Sequence, residues 1–131
     1  MEEIKIGEYF RSKSIGIMRF IYGRTYITKD NKEDYLYYLE YENKKTMPLS
    51  IKGLEDMRHS QKLTDLIQIG DYVNGQKIVK ITKDPFVKGQ IDLWTDRIIP
   101  FDKDYQQERF IENEIETVVT KEQFENMRYE K

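Results

Sequence analysis

The sequence predicts a mainly β protein with short helices, built as two tandem small units that each form a barrel-like or strongly bent sheet. The first observation is a repeated segment, because "IKIGEYFRSK" at residues 4–13 returns as "IQIGDYVNGQ" at residues 67–76 with two Ile, Gly and Tyr in register. The second is a series of short runs rich in β-branched and aromatic residues and separated by turn residues. The third is that each copy closes on a hydroxyl residue, Ser60 or Thr120, before a helix-like stretch.

The repeat divides the chain into a first β unit with a short helix at residues 1–66 and a second with a short C-terminal helix at residues 67–131. The start of the repeat and its hydroxyl residue are 56 positions apart in the first copy and 53 in the second. Units of about 60 residues bury only about 60% of their surface. We therefore expect the two to pack together, either as two units or as one compact domain.

Three runs in the first unit favour strands. They are "GIMRFIY" (residues 16–22), "YLYYLEYE" (residues 35–42) and "TMPLSI" (residues 46–51). The polar clusters "DNKED" and "ENKK" lie between them and favour turns. Pro48 indicates an edge strand, because proline cannot donate to a sheet ladder. The later "QKLTDLI" is interpreted as a short helix capped by Ser60.

The second unit contains a strong hairpin signal. Asn74 and Gly75 separate "DYV" from "QKIVKI", and a two-residue turn of this kind requires positive φ at both central residues. "IVKI" aligns with "IMRF" of the first copy if the loop before it is two residues shorter. "FVKGQIDLW", "RIIPF" and "IETVV" then favour strands, and Thr120 with Gln123 fits a capping box.

Composition narrows the function classes. The chain carries 22 Lys and Arg against 24 Asp and Glu, a formal net charge of −2, whereas nucleic-acid binders are usually basic. It contains no Cys, which excludes disulfides and thiolate metal sites and suits a reducing cytosol. A signal-peptide pattern and an apolar stretch of membrane length are both missing from the sequence. We expect a soluble cytoplasmic protein without membrane contact.

Residues with catalytic potential are few. His59, the only histidine, stands beside Ser60 with Asp65 downstream, which raises a catalytic-triad hypothesis. The favoured interpretation is structural, with Ser60 capping a helix and His59 closing a strand, because no nucleophile-elbow pattern surrounds the serine. Glycine-rich phosphate loops do not occur in the sequence. We predict a protein that is not an enzyme and that holds no cofactor.

Two acidic groups raise a metal-site hypothesis. Asp102 and Asp104 are paired in "FDKDYQQE", and Glu112, Glu114 and Glu116 would project to one face of a strand. Neither group has the oxygen ligands and glycine of a calcium loop. Solvated surface is the favoured interpretation, so we predict no metal site.

Arginine and tyrosine cluster in the first hairpin region and are candidates for partner binding. The residues are Arg11, Arg19, Tyr22, Arg24 and Tyr26. Arginine forks and aromatic faces suit phosphates and bases, and small barrels bind nucleotides and nucleic acids on such surfaces. The alternative is the ordinary surface of a small β protein.

A tyrosine-rich run supplies further candidates. They are Tyr35, Tyr37, Tyr38 and Tyr41. In a strand the odd-numbered tyrosines share one face with Leu39, and Tyr38 lies on the other, because side chains alternate. One set belongs to the core, and the other is available to a protein partner, since tyrosine is enriched at interfaces.

The candidates of the second unit are Trp94 and Arg97. A tryptophan can anchor a protein interface as a hot spot. Filling the second core is the favoured interpretation for Trp94.

Three segments carry a resemblance to a known family. They are "GEYFR" at the start, "HS" with "DLIQIGDYVNG" within residues 59–75, and "VTKEQF" at residues 119–124. The chain resembles a diffuse family of small, mostly uncharacterised phage and prophage proteins of low-GC Gram-positive bacteria, which combine a GEYVRT-like start, an HSxNIIDLIEVGDYVNG centre and an IKSIVTKEQF end. It departs from that pattern at Gln61-Lys62-Leu63 and in its long tyrosine-rich stretch.

The resemblance implies a small phage or prophage accessory protein, and such proteins are often made to counter host immunity. It implies that the matched residues maintain the scaffold and that residues 19–50 and 83–110 determine specificity. We hypothesise a non-catalytic anti-defence inhibitor that binds a host immune protein such as a CRISPR effector. One alternative is a sponge for an immune cyclic-nucleotide or ADP-ribose-type signal, with a pocket at a homo-oligomer interface. A second, less favoured, is a small nucleic-acid-binding barrel.

Overall fold

The computed structural model describes residues 4–42 and 44–129. The chain divides into two compact units, residues 1–66 and 67–131. Each unit contains one five-stranded antiparallel sheet with short helical segments. The prediction of a mainly β fold with short helices is confirmed.

The first unit is a four-stranded meander followed by a helical turn and a fifth strand. Its elements are β1 (Tyr9–Ser12), β2 (Gly16–Ile27), β3 (Glu33–Tyr41), β4 (Lys45–Leu49), α1 (Ile51–Glu55), β5 (Arg58–Ser60) and a 3₁₀ helix (Leu63–Leu66). The strand order is β4-β3-β2-β1-β5, so the last strand returns to pair with the first. The hydroxyl of Ser50 caps α1 by accepting a hydrogen bond from the amide of Gly53.

The second unit repeats this plan. Its elements are β6 (Tyr72–Val73), β7 (Gln76–Lys83), β8 (Ile91–Phe101), β9 (Asp104–Phe110), a 3₁₀ helix (Glu112–Glu114), β10 (Val118–Val119) and α2 (Lys121–Tyr129). The strand order is β10-β6-β7-β8-β9, which is the first order read in reverse, strand for strand. A helical turn precedes the fifth strand in both units. The shared topology supports the tandem-unit interpretation of the repeated segment.

The repeated segment forms the same turn in both units. Gly7 and Gly70 both have positive φ, 94° and 101°, a region that glycine enters without steric cost. The amide of the following acidic residue, Glu8 or Asp71, donates to the carbonyl three positions earlier at 3.0 Å in each copy. The similarity of the two segments therefore encodes a local turn rather than a strand, and β1 begins only at Tyr9.

The register between the two copies differs from the sequence alignment. The amide of Gly7 donates to the carbonyl of Phe20 at 2.7 Å, and the amide of Gly70 donates to the carbonyl of Ile78 at 2.8 Å. Ile78 thus occupies the place of Phe20 and not that of Ile17. The loop of the second copy is five residues shorter, not two, because its tight Asn-Gly turn replaces the longer β1–β2 connection.

Asn74 and Gly75 form the predicted two-residue turn. Their φ angles are 51° and 81°, and Val73 pairs with Gln76 across the turn. The capping box is also confirmed, because the amide of Gln123 donates to the Thr120 hydroxyl at 3.2 Å and the amide of Thr120 donates to the Gln123 side chain at 3.0 Å.

The short helix predicted after Ser60 is present as a 3₁₀ helix, and the Ser60 hydroxyl accepts a hydrogen bond from the amide of Lys62 at 3.1 Å. Ser60 is the last residue of β5, where it pairs with Tyr9, and the segment after it forms only the 3₁₀ helix. The corresponding pair in the second unit is Tyr72 with Val119, so Ser60 matches Val119 and not Thr120. The α-helix of the first unit is α1, which precedes the fifth strand.

The reading of "FVKGQIDLW" as one strand is wrong in its first half. Residues 84–90 form a loop, because the Asp84 carboxylate accepts hydrogen bonds from the amides of Phe86 and Val87 at 2.8 Å each. Gly89, with a φ of 81°, ends the loop, and β8 begins at Ile91. The strand then continues without a break through "RIIPF".

The strand predicted around "IETVV" is also much shorter than expected. Residues 112–114 form a 3₁₀ helix, and only Val118–Val119 pair in the sheet. The amides of Glu116 and Thr117 donate to the side-chain oxygen of Asn74, at 2.7 and 3.0 Å, instead of joining a ladder.

Each unit has its own set of buried apolar residues. The first unit buries Phe10, Met18, Phe20, Leu39 and Leu54, which form one cluster. In the second unit Val73, Ile78 and Leu93 are fully buried. None of the helices in the described part of the chain is long and apolar enough to cross a membrane.

Candidate protein-binding face of the first unit

The β2–β3 hairpin carries most of the predicted partner-binding residues. A register shift at Ile21, between the pairs Phe20–Leu39 and Tyr22–Tyr38, adds one residue to β2. Cross-strand partners share a face of the sheet. Because Leu39 and Phe20 are buried in the core, the bulge turns Tyr22 to the outer side, opposite Tyr38.

Three cross-strand pairs beyond the bulge form the surface that we name the hairpin face. They are Tyr22–Tyr38, Arg24–Leu36 and Tyr26–Asp34. All six lie on the same side, because alternate residues of a strand share a face. The structure therefore brings Tyr22, Arg24, Tyr26 and Tyr38 together, as the sequence clusters suggested.

The inner end of the hairpin face is a tyrosine stack. The rings of Tyr22 and Tyr38 are nearly parallel, at 11°, with centroids 4.6 Å apart. Tyr22 remains 47% exposed. A stacked cross-strand pair holds both rings in place while it leaves their edges accessible to a partner.

The outer end is fixed by a hydrogen bond. The Tyr26 hydroxyl donates to Asp34 Oδ2 at 3.1 Å, and Asp34 Oδ1 accepts from the amide of Tyr35 at 2.8 Å. The hydrogen bond to this carboxylate raises the pKa of the Tyr26 phenol above its ordinary value. Arg24 lies between the two aromatic ends and is exposed.

The odd-numbered tyrosines lie on the core side of the hairpin. Tyr37 and Tyr41 pack against the core cluster of the first unit. The ring of Tyr35 lies over Gly23, where an added Cβ would overlap the Tyr35 hydroxyl. Burial, with a smaller contribution from Tyr35, raises the pKa of Tyr37. Tyr37 and Tyr41 therefore serve the fold, and Tyr35 is 39% exposed at its edge.

Two of the predicted arginines do not join the hairpin face. Arg11 is buried, and its guanidinium donates to the carbonyl of Leu66 at 2.9 Å. Arg19 lies over the ring of Tyr9, with 5.8 Å between its guanidinium carbon and the ring centroid. Arg19 pairs with Glu40 across the strands, before the bulge.

Trp94 lies on the outer side of the second sheet, against the expectation that it fills a core. Its neighbour Leu93 is fully buried, whereas Trp94 pairs with Lys80 and Arg109 on the opposite side. The Lys80 ammonium is 4.9 Å from the indole centroid, and the indole N–H donates to the Thr82 hydroxyl at 2.8 Å. The ring is half-buried between two cations, a favourable cation–π arrangement.

Arg97 is exposed within an irregular part of the β8–β9 pairing. The register shifts between Trp94 and Ile98, and the Arg97 guanidinium lies 3.8 Å from the carboxylate of Glu108. At this exposure the ion pair contributes little to stability.

Among the residues of the triad hypothesis, Ser60 and Asp65 contact each other, whereas His59 has a different partner. His59 Nδ1 lies 2.5 Å from the buried carboxylate of Glu8, and its ring stacks on Phe10. The Ser60 hydroxyl donates to Asp65 at 2.7 Å. Neighbouring residues of a strand point to opposite faces, so His59 is turned away from the Ser60 hydroxyl. This arrangement supports the structural interpretation of both residues.

The acidic residues considered as metal ligands are spread out. Asp102 has a φ of 55° in the β8–β9 turn, and Asp104 begins β9. Glu112 and Glu114 lie in the 3₁₀ helix rather than on one strand face. Among the described residues no group of three or more His, Cys, Asp or Glu could hold a metal ion.

Sequence reasoning missed the aromatic residue that is most exposed among those whose burial the structure describes. Phe86, at the tip of the β7–β8 loop, is 94% exposed. The available signal was the preceding "DP", since Asp before Pro favours a turn over a continuing strand.

No protein-family model, curated protein or solved structure matches the chain.

Proposed function

We propose that this chain is a non-catalytic binding protein that inhibits a partner protein through the hairpin face. The observation that carries the proposal is the exposed row of Tyr22, Arg24 and Tyr26, whose aromatic members are each held by a neighbour across the strands. Tyrosine and arginine are the residues that most often dominate protein interfaces.

The fixed conformation of these side chains favours tight binding. Ordering a free side chain at an interface costs about 0.5–1.5 kcal/mol. The Tyr22–Tyr38 stack and the Tyr26–Asp34 hydrogen bond meet part of that cost in the free protein. The face also mixes Arg24 with Asp34, which suits a partner of mixed polarity better than a uniformly anionic polymer.

The identity of the partner is proposed from the resemblance described above. A phage or prophage accessory protein of this kind would act on a host immune protein, of which a CRISPR effector is one example. The hairpin face lies within residues 19–50, the stretch that the resemblance implies to set specificity. The nucleotide-sponge alternative has less support, because Arg11, one of the candidate arginines, is buried and donates to the carbonyl of Leu66.

The proposal is tested by capture from a lysate of a low-GC Gram-positive bacterium. The tagged protein is compared with the double variant Arg24→Ala/Tyr26→Ala and with Tyr105→Ala, a tyrosine that is 75% exposed in the second unit. We expect one host protein to be retained by the wild-type chain and by Tyr105→Ala, and to be lost from the double variant. The same variants should show the same order in restoring plaque formation on an immune host.

Equal retention by all three proteins would contradict the proposed surface. A bound mass of a few hundred daltons in native mass spectrometry would favour the nucleotide sponge instead. Retention of nucleic acid that falls steeply with salt would favour the small nucleic-acid-binding barrel.

A further inference from the structure

The β7–β8 loop of the second unit presents two apolar side chains to solvent. Phe86 is 94% exposed and Val87 is 51% exposed. A phenylalanine at this exposure gains nothing from the core of its own unit. Burial of this side chain in a partner's pocket would remove a large apolar surface from water, which favours binding.

The loop holds these side chains on a fixed backbone. Asp84 Oδ1 accepts from the amides of Phe86 and Val87, at 2.8 Å each. The other carboxylate oxygen accepts from the Gln90 side chain at 3.1 Å, and the amide of Asp84 donates to the Gln90 carbonyl at 2.9 Å. The Gln90 amide closes the loop on the Val87 carbonyl. The tip is therefore organised before any partner arrives.

The exposed charged side chains next to the tip are lysines. Lys83 and Lys88 flank the two apolar residues and are both exposed. The nearest acidic groups, Asp84 and Asp92, lie at the base, where both carboxylates face the guanidinium of Arg109 at 3.7 and 3.2 Å. The exposed tip is thus an apolar knob with an exposed lysine on each side of it in the sequence.

We propose that the Phe86–Val87 knob is a second docking element, which inserts into an apolar pocket with an acidic rim on a partner protein. The knob supplies the buried anchor, and Lys83 and Lys88 complement the rim. An anionic membrane would offer the same charge, but two apolar residues give little membrane affinity and the net charge of −2 opposes approach to such a surface. This inference concerns the second unit and does not depend on the hairpin face.

The test compares Phe86→Ser and Lys88→Glu with the control Phe101→Ser. Phe101 is also an exposed phenylalanine of the second unit, at 60%, and lies at the far end of β8. Both phenylalanines are mostly exposed, so circular dichroism should show all variants folded. Proteins captured from the bacterial lysate by the wild-type chain are identified, purified and titrated against each variant.

The result expected is a purified partner whose affinity falls about 30-fold with Phe86→Ser, as for a hot-spot residue, and falls with Lys88→Glu in a salt-dependent manner. Phe101→Ser should bind as the wild type does. A captured protein with unchanged affinity for Phe86→Ser, or no captured protein, would overturn the proposal. Phe86-dependent sedimentation with phosphatidylglycerol vesicles would overturn it in favour of a membrane.

The hairpin-face variant separates this proposal from the first. Loss of the partner with Arg24→Ala/Tyr26→Ala but not with Phe86→Ser would support the proposed function and overturn the docking knob. Loss of the partner only with Phe86→Ser would support the docking knob and overturn the proposed role of the hairpin face. Loss with both would support the docking knob together with the proposed function.

Discussion

The acidic residue of the repeated segment has a structural role in both units, through different partners. Glu8 is buried and contacts His59 of the fifth strand. Asp71 is fully buried, and its two carboxylate oxygens accept from the amides of Gln68 and Lys121, at 2.7 and 2.9 Å. The sequence alignment predicts that these acids correspond. It does not predict their burial, because each partner on the last strand or helix lies about fifty residues away.

Replacing Asp71 by Ala should destabilise the protein strongly. The change removes the acceptor for two backbone amides and leaves them without a charge-assisted partner, at a cost of about 3 kcal/mol. Urea unfolding followed by circular dichroism measures this loss. Glu125→Ala, which removes an exposed acid from α2, serves as the control and should change the free energy of unfolding by less than about 0.5 kcal/mol.

Asn74 does more than form the predicted turn. Its side-chain oxygen accepts from the amides of Glu116 and Thr117, and its side-chain nitrogen donates to the carbonyl of Glu114 at 2.9 Å. The side-chain amide supplies both the acceptor and the donor at this position, whereas a carboxylate supplies only acceptors. The turn preference of Asn-Gly is a local property and was predictable, whereas these bonds span about forty residues and were not.

Asn74→Asp should therefore destabilise the second unit although the turn is kept. A carboxylate cannot donate to Glu114, and it adds charge beside two glutamates, so we expect a loss of about 1–2 kcal/mol. The same change at the exposed Asn126 is the control for charge. A measured stability equal to that of the wild type would show that the side-chain donor is dispensable.

At the scale of elements, the turns and helix caps were predictable from the sequence, whereas the lengths of the strands were not. The Asn-Gly turn and the Thr120–Gln123 box each depend on residues within a few positions of one another. The Phe86–Gln90 segment has side chains that are typical of a strand. It forms a loop because the Asp84 carboxylate accepts hydrogen bonds from the amides of Phe86 and Val87. The hairpin strand β9 was missed because its polar residues resemble a loop, and cross-strand pairing with β8 decides its structure.

Two glycines offer a matched pair of opposite predictions. Gly23→Ala would drive a methyl into the Tyr35 ring, so we expect a loss of about 1–3 kcal/mol from overpacking. Gly53→Ala in α1 places its methyl 3.4 Å from the Leu49 side chain, an ordinary contact, and should stabilise by about 0.5–1 kcal/mol. Thermal unfolding of the two variants should move in opposite directions. If Gly23→Ala stabilised the protein, the packing of the Tyr35 ring against Gly23 would not contribute to the stability of the β2–β3 hairpin.

The β7–β8 loop should show a pH dependence. The amides of Phe86 and Val87, the largest causes, hold the pKa of Asp84 below its ordinary value of 3.8. A lowered folded-state pKa adds stability that is complete above the ordinary pKa and is lost as the pH falls through the folded-state value. The stability difference between wild type and Asp84→Asn should therefore be larger at about pH 6 than at about pH 2. A difference that does not change between these values would contradict the role of the ionised carboxylate.

At the scale of the whole molecule, the two units share one topology but extend different pairs of strands. The first unit extends its second and third strands into the β2–β3 hairpin, and the second extends its third and fourth strands to Phe101 and Asp104. The register shift that follows Phe20 has its counterpart after Ile78. Beyond it the outer side carries tyrosines in one unit and Lys80 with Trp94 in the other. The scaffold repeats, and the surfaces differ.

The candidate site was predictable in its residue types but not in its membership. Tyrosines and arginines at alternate positions of a strand predict a shared face. The bulge at Ile21 places Tyr22 on the outer face of the sheet, and no pattern in the sequence predicts that bulge. Arg11 is not part of the hairpin face, because its guanidinium donates a hydrogen bond to the backbone carbonyl of Leu66.

Photo-crosslinking tests the central claim most directly. A benzophenone amino acid is placed at position 26 of the hairpin face or at position 105 of β9, and each protein is irradiated in a lysate of the low-GC Gram-positive host. We predict a crosslink to one host protein from position 26 and none to that protein from position 105. Crosslinks from position 105 alone, or from neither position while a partner is captured, would contradict the hairpin face as the contact surface.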